Sequence, residues 1–552
     1  MDNLQELKNY ISSSKIKVVS FDIFDTLLIR PCIYPTDILM LGGKKCSQTS
    51  HYLNIRQTSE RLARKNQTIN DEEILYSDIY REMADKYDFS DEEIHKLSET
   101  ELQCEYDYLT ARPSVKEIFD YALQLGKKVI IASDIYLSYD FIEKVLKKNG
   151  YEGYYKLYLS SEYNLTKSSG RLFSRIIADF EKEGVKPEEI LHMGDNENSD
   201  VNIPKRKGIN AVHVKRIEAL AHTDNTFRRL EMFSERNCAN TFLLGCSVNM
   251  TYDEPMKEHC REERFVSDLA AVTNIVIAPL FVSYAKLIAA SCKKSGVNTI
   301  YFVNNEGVLL EKILSEVKKY VYGQLKIKRI DITKAVNIAK SSFIKNINSK
   351  IPSPYISVIS FIRDYMGISE IDDELKAIVM NHGYASVNYP LGGIEKWCTL
   401  VDQLNAYISR NLAKCRDEII GQCGKKSVFY TDKCVDVFEK LFCGSSTVPV
   451  VYSLFSDSTH IGCDNRYLIS LGKIHRPILK IKEILRNIAD EDFSITDENY
   501  ALIRKNIISY TEYFCEMFKD AIPLMDLNAF QYIEFIKIGM YEFPDFVLKN
   551  IG

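Results

Sequence analysis

None of the 14 cysteines in this 552-residue chain forms a C-x-x-C pair, and none stands at metal-ligand spacing from a histidine. That leaves no local zinc or dithiol signature. There is no excess of basic charge either. Lys and Arg number 71 against 76 Asp and Glu, with a net charge of -5 and a pI near 6.1. The scattered lysine pairs read as solvated faces, and the chain carries no electrostatic footprint for nucleic acid. Residues Met1 to Lys17 lack the apolar core of a signal peptide and read as an amphipathic lead-in. The most apolar stretch, Leu269 to Tyr284, is interrupted by Thr273, Asn274 and Pro279. It falls short of the ~20 clean apolar residues a membrane span needs, so a buried helix is expected and no integral membrane segment. The cysteines then read as free thiols in a reducing, cytoplasmic setting.

What is present is an ordinary globular composition, 45% hydrophobic and 27% charged, at a length that implies two or three domains. The first half is organised around Lys17-Val18-Val19-Ser20-Phe21-Asp22. An apolar run ending in a carboxylate reads as a buried strand delivering Asp22 to a sheet edge. Proline-punctuated loop follows, then a charged helical stretch from Thr36 to about Arg112. Within it Asp71-Glu72-Glu73 and Asp91-Glu92-Glu93 fall in predicted first helical turns, behind Asn70 and Ser90 as N-caps.

Strands and helices then alternate. Strands are predicted at Lys128–Ala132, Lys156–Ser160, Ile190–Met193 and Ala211–Val214, with helices at Ser138–Asn149 and Gly170–Gly184 among them. This pattern predicts a doubly wound, mostly parallel sheet whose carboxyl edge gathers polar groups in one crevice. The groups are Asp22, then Ser133-Asp134, then Thr166-Lys167-Ser168-Ser169-Gly170, then Gly194-Asp195 through Asp200.

Carboxylates, a hydroxyl and a lysine at one edge suit phosphoryl transfer. Magnesium takes hard oxygen ligands, and a carboxylate such as Asp22 serves as a covalent nucleophile. Lys167 offsets the charge of the transferring group and Ser133 donates to one of its oxygens. Each group taken alone has a plainer reading: Ser133 as the cap of the next helix, Lys167 as an exposed loop lysine, Gly194-Asp195 as a turn.

In this order the motifs resemble the haloacid dehalogenase (HAD) superfamily. Phe21-Asp22-Ile23-Phe24-Asp25-Thr26 looks like its first motif, Ile131-Ala132-Ser133-Asp134 its second, Lys167 its third and Gly194-Asp195 through Asp200 its fourth. The resemblance spans about Lys15 to Arg216. It implies a Rossmann-like core with the helical stretch as a mobile cap, a small phosphorylated substrate, and catalytic Asp22, Ser133 and Lys167. It also implies magnesium held by Asp22, the Phe24 carbonyl and Asp195, with Asp200 close by. One departure is Phe24, which stands where the family's phosphatases carry a second Asp as general acid/base. An aromatic there is similar to the dehalogenase branch, whereas the acidic fourth motif favours a metal and phosphoryl chemistry.

Beyond about residue 225 a further strand-helix-strand unit, Asn298–Val303, Glu306–Tyr320 and Lys326–Ile332, predicts a second α/β domain rich in helices over 226–552. Strands are also predicted at Ser427–Tyr430 and Val448–Tyr452, and the aromatic-rich end, Ile478 to Leu548, reads as helical core packing. Asn304-Asn305-Glu306-Gly307 is read as a turn with an Asn cap in preference to an anion site. A HAD-like domain followed by a second α/β half loosely resembles bacterial glycan-assembly proteins. That layout implies a sugar phosphate or phosphorylated glycan precursor. The alternative is a non-catalytic HAD-like binding or scaffold protein in glycan assembly.

Overall fold

The structure is a computed structural model that describes residues 4–48, 51–68, 70–225, 227–228, 231, 238–259, 268–339, 353–368, 370–442, 445, 449–453, 468–470, 498–525 and 527. It divides into two compact units. One comprises Met1–Ser283 with Ala501–Asn550 and Gly552, and the other Tyr284–Tyr500 with Ile551.

The first unit is built on a parallel sheet in the order β5-β4-β1-β6-β7. Its strands are β1 (Val18–Phe21), β4 (Lys128–Ser133), β5 (Lys156–Leu159), β6 (Ile190–Gly194) and β7 (Asn210–His213). β1 is central, pairing Val18 with Lys128 on one side and with Ile190 on the other. Every β1 residue is buried, and the side chains alternate between two cores, as the two-residue period of a strand requires. Val19 and Phe21 join Val129 and Ile131 against α1 (Leu4–Ser12), α6 (Pro113–Gln124) and α7 (Tyr139–Lys148). Val18 joins Ile130 and Ala132 against Leu172, Phe173, Ile176 and Phe180 of helix Arg171–Glu181.

Between β1 and β4 lie two short strands, β2 (Leu28–Ile29) and β3 (Thr110–Ala111), paired antiparallel. They bracket a helical insertion of α2 (Thr36–Lys45), α3 (Tyr52–Lys65), α4 (Tyr76–Lys86) and α5 (Asp91–Tyr108). The expected Ser90 cap is present as a reciprocal pair with Glu93. The helix expected from Asp71 is shorter, with Leu75 at its N-cap position. Asp71, Glu72 and Glu73 stay outside it because they take hydrogen-bond partners elsewhere in the unit.

The first unit runs past the change of pattern near residue 225. Helix Cys238–Thr251 lies against the Pro31-Cys32 loop at Gly245, where a Cβ would sit 2.3 Å from the Cys32 Cα. Asn249 Nδ2 donates to the Arg30 carbonyl at 2.9 Å, and Asp253 accepts from Arg112 and from Ser114. These contacts hold residues beyond 237 to the first unit. Tyr510, Phe514 and Phe518 on helix Glu498–Phe518 are buried core residues. The remainder of the aromatic-rich end, 478–497, 526 and 528–548, lies outside the described residues.

The second unit carries its own parallel sheet, in the order β12-β11-β10-β8-β9. The strands are β8 (Thr299–Val303), β9 (Lys326–Ile330), β10 (Val428–Tyr430), β11 (Val450–Ser453) and β12 (Leu468–Ser470), the last unforeseen in the sequence. The Asn304–Gly307 segment is a turn, with Asn304 and Gly307 both left-handed. Glu306 is buried and accepts from Thr431 Oγ1 and from the backbone N–H groups of Asp432 and Lys433. Helix Leu269–Ser295 is the one described helix long and apolar enough to cross a membrane, and 78% of its most apolar window is buried within the protein.

Candidate active site

β1 is the point where the first sheet changes direction, with β4 leading to one edge and β6 to the other. Ligands bind beyond the strand carboxyl ends at such a point. Asp22 sits there, its N–H donating to the Met193 carbonyl at 2.8 Å. β4 ends on Ser133, which is 2% exposed and does not cap the following helix; that role falls to Ser138. Lys167 precedes helix Arg171–Glu181 and is 2% exposed, not the solvated loop lysine of the plainer reading. Asp195 directly follows β6, and Asp200 lies within the π-helical turn Glu197–Asn202 that comes next.

Four of these groups, Asp22, Lys167, Asp195 and Asp200, converge. Lys167 Nζ lies 2.5 Å from Asp22 Oδ1 and 2.5 Å from Asp200 Oδ1. Oxygens of Asp22, Asp195 and Asp200 lie within 4.8 Å of one another, and all three residues are buried. The approach depends on Gly194, where a Cβ would stand 2.4 Å from the Asp200 Cγ.

The electrostatics follow from crowding acids out of water. Burial pushes Asp22 up, and the like charges of Asp200 and Asp195 add to it against the opposing Lys167. Asp195 is raised by burial, with Arg216 pulling the other way. For Asp200, burial is outweighed by Lys167 and His192, which hold the carboxyl well below the usual range. Lys167 is raised by its carboxylate neighbours despite burial.

Two site residues, His192 and Arg216, are not marked in the sequence, and Asp134 is placed there at the sheet edge without a role. His192 lies inside β6, fully buried, with Nε2 3.1 Å from Asp200 Oδ1 and Nδ1 2.7 Å from Ser20 Oγ. Burial lowers its pKa and keeps the ring neutral. Asp134 accepts from the Lys167 and Ser168 backbone N–H groups at 2.6 and 3.1 Å. Arg216 pairs with Asp195 through Nε. The strongest available signal was position, since Asp134 and Arg216 follow strand ends; His192 gave none within an apolar strand.

Phe24, where a second acid was considered, lies with its ring 4.9 Å from the Arg30 guanidinium. The next residue, Asp25, is left-handed with φ of 57°, a conformation Asp tolerates better than most residues. Its carboxylate therefore leaves the extended path of β1. Asp25, Arg30 and Glu218 line a cavity of about 20 Å³, room for a single water.

Three buried carboxylates facing one buried lysine and one half-exposed arginine form a hard-oxygen donor set suited to a divalent cation. The ten cysteines whose side chains are described are free.

Comparison with known proteins gives one family model, described as a hydrolase, haloacid dehalogenase-like hydrolase, which matches residues 16–206. No curated protein matches the chain. Among solved structures, a haloacid dehalogenase-like family hydrolase from Xanthomonas campestris is 16% identical over 37% of this chain and 82% of its own, with a TM-score of 0.29. A putative HAD hydrolase of Bacillus subtilis bound to magnesium is 15% identical over 36% of this chain and 88% of its own, with a TM-score of 0.28. A predicted phosphoglycolate phosphatase from Haemophilus somnus is 13% identical over 37% of this chain and 87% of its own, with a TM-score of 0.26. Residues 16–206 carry a haloacid dehalogenase-like hydrolase domain.

Proposed function

We propose that this domain is a magnesium-dependent phosphohydrolase acting through an aspartyl-phosphate on Asp22. The observation that supports it most is Lys167 Nζ, 2.5 Å from both Asp22 and Asp200 at the edge of the acidic triad. Asp22, Asp195 and the Phe24 carbonyl would hold the cation, with Asp200 close by. Once bound, magnesium supplies positive charge to the phosphoryl oxygens. Asp22 Oδ attacks phosphorus as the bond to the leaving oxygen breaks, and that oxygen takes up a proton from solvent. Ser133 Oγ donates to a phosphoryl oxygen and Lys167 offsets the charge of the transferring group. Water then attacks the aspartyl-phosphate, frees phosphate and returns Asp22.

The helical insertion α2–α5 acts as the cap that selects the leaving group. A second α/β unit behind such a domain supports a sugar phosphate or phosphorylated glycan precursor as substrate. The free thiols support a reducing, cytoplasmic setting.

Phe24 favours a second reading, a binding or scaffold protein whose HAD-like domain has lost turnover. It equally motivates a third, a metal-independent dehalogenase. Phosphate release from a panel of sugar phosphates and nucleotides, with magnesium and with chelator, separates them. Magnesium-dependent release that disappears in Asp22→Asn is expected. Binding without release supports the scaffold, and halide release without metal supports the dehalogenase.

A further inference from the structure

The Asp71-Glu72-Glu73 segment ahead of α4 is bonded to the loop that carries Lys167. Glu72 Oε2 accepts from Thr166 N at 2.6 Å, Thr166 Oγ1 at 3.2 Å and Ser169 Oγ at 2.7 Å. Its other oxygen pairs with Arg171. Alongside, Asn164 Oδ1 accepts from Glu72 N at 2.8 Å, and Asn164 Nδ2 donates to Asp71 Oδ1 at 2.9 Å. Ser160 Oγ donates to Glu73 Oε2 at 2.9 Å. The Glu72 side chain is only 10% exposed. Burial opposes its charge, but the Thr166 and Ser169 donors outweigh burial and hold the carboxyl below its ordinary value.

On the other side of the lysine stands Asp134, accepting from Lys167 N and Ser168 N. The backbone around Lys167 is therefore gripped from two directions. One carboxylate belongs to the sheet domain and the other to the helical insertion. Charge-assisted bonds of this kind are stronger than neutral ones and fix geometry as well as energy. A lysine that must meet two carboxylates at 2.5 Å tolerates little drift of its own backbone.

We propose that Glu72 is a positioning residue for Lys167: docked on Thr166 and Ser169, it sets the lysine between Asp22 and Asp200. One side chain of the helical insertion thereby fixes the backbone that carries the lysine. The kinetic part of this inference rests on the phosphohydrolase reading; the structural part does not.

The test uses the full chain and two readouts, amide hydrogen exchange over residues 164–171 and magnesium-dependent phosphate release. Glu72→Ala is expected to speed exchange in that segment by about tenfold. It is also expected to lower kcat by about 10- to 100-fold with KM little changed, as displaced catalytic groups do. Glu72→Gln keeps an acceptor for the Thr166 N–H and is expected to recover most of both, and it serves if the alanine variant folds poorly. Wild-type exchange in Glu72→Ala overturns the proposal, as does faster exchange with an unchanged kcat. If the wild-type chain releases no phosphate, the phosphohydrolase reading fails. Exchange then decides for or against the docking of Glu72 by itself.

Discussion

Nε2 of His192 lies 3.1 Å from Oδ1 of Asp200, the same oxygen that receives the Lys167 ammonium. An ionised carboxylate only accepts, so the network assigns the imidazole proton to Nε2 and leaves Nδ1 to accept from Ser20 Oγ. A hydroxyl in the middle of β1 thus orients the acid beside the lysine. Ser20→Ala strands a buried ring nitrogen, at a cost of about 1–3 kcal/mol. Thermal denaturation should show a lower Tm for this variant; a Tm equal to wild type would remove Ser20 and His192 from the account.

Crowded carboxylates should make stability depend on a divalent cation. A ligand that binds only the folded chain stabilises it by about 2.7 kcal/mol at a hundredfold excess over Kd. Millimolar magnesium is expected to raise Tm, chelator to reverse the rise, and Asp195→Asn to abolish it. A wild-type Tm indifferent to magnesium would count against the metal assignment.

With Phe24 where a proton donor would stand, the rate should fall steeply as the leaving group becomes more basic. Aryl phosphates, whose leaving groups need little protonation, should turn over much faster than alkyl phosphates. Phe24→Asp is expected to raise the alkyl rate by up to ~10²–10⁴-fold while the aryl rate changes little. Equal changes for both classes would rule out proton supply as the limiting factor.

Glu218 gives a pH signature. Burial first, then the Asp25 carboxylate, pushes its pKa up to about 7. Between the ordinary carboxylate range and that value the folded chain holds a proton that the unfolded chain has released. Its stabilising contribution is therefore complete at low pH and is lost as pH rises toward about 7. Glu218→Gln removes that loss. The variant should melt above wild type at about pH 8 and converge with it near about pH 4. A constant difference across that range would contradict the shift.

Which features could be read without coordinates follows from how local their causes are. The placement of Asp22, Ser133, Lys167, Asp195 and Asp200 near one sheet edge is readable because each closes or follows an apolar run, and such runs end there. Asp71-Glu72-Glu73 misled because a carboxylate triplet after Asn70 looks like a first helical turn; its true partners, Ser160, Asn164, Thr166 and Ser169, are nearly a hundred residues away. His192 sits among buried strand residues, where a histidine has no local mark of function. The extent of the first unit turned on Gly245, whose missing side chain admits the Pro31-Cys32 loop. Nothing in its immediate neighbours announces that approach.

The helical insertion leaves and rejoins the sheet domain through a ladder of two residue pairs, Leu28 with Ala111 and Ile29 with Thr110. The register of the main sheet is set elsewhere, by Val18–Phe21 against Lys128–Ile131 and Ile190–Met193. The insertion is consequently exchangeable in outline but not at every contact. A graft of different length or shape that rejoins those two rungs leaves the strand pairing untouched, provided it carries an acceptor in the place of Glu72 for Thr166 and Ser169.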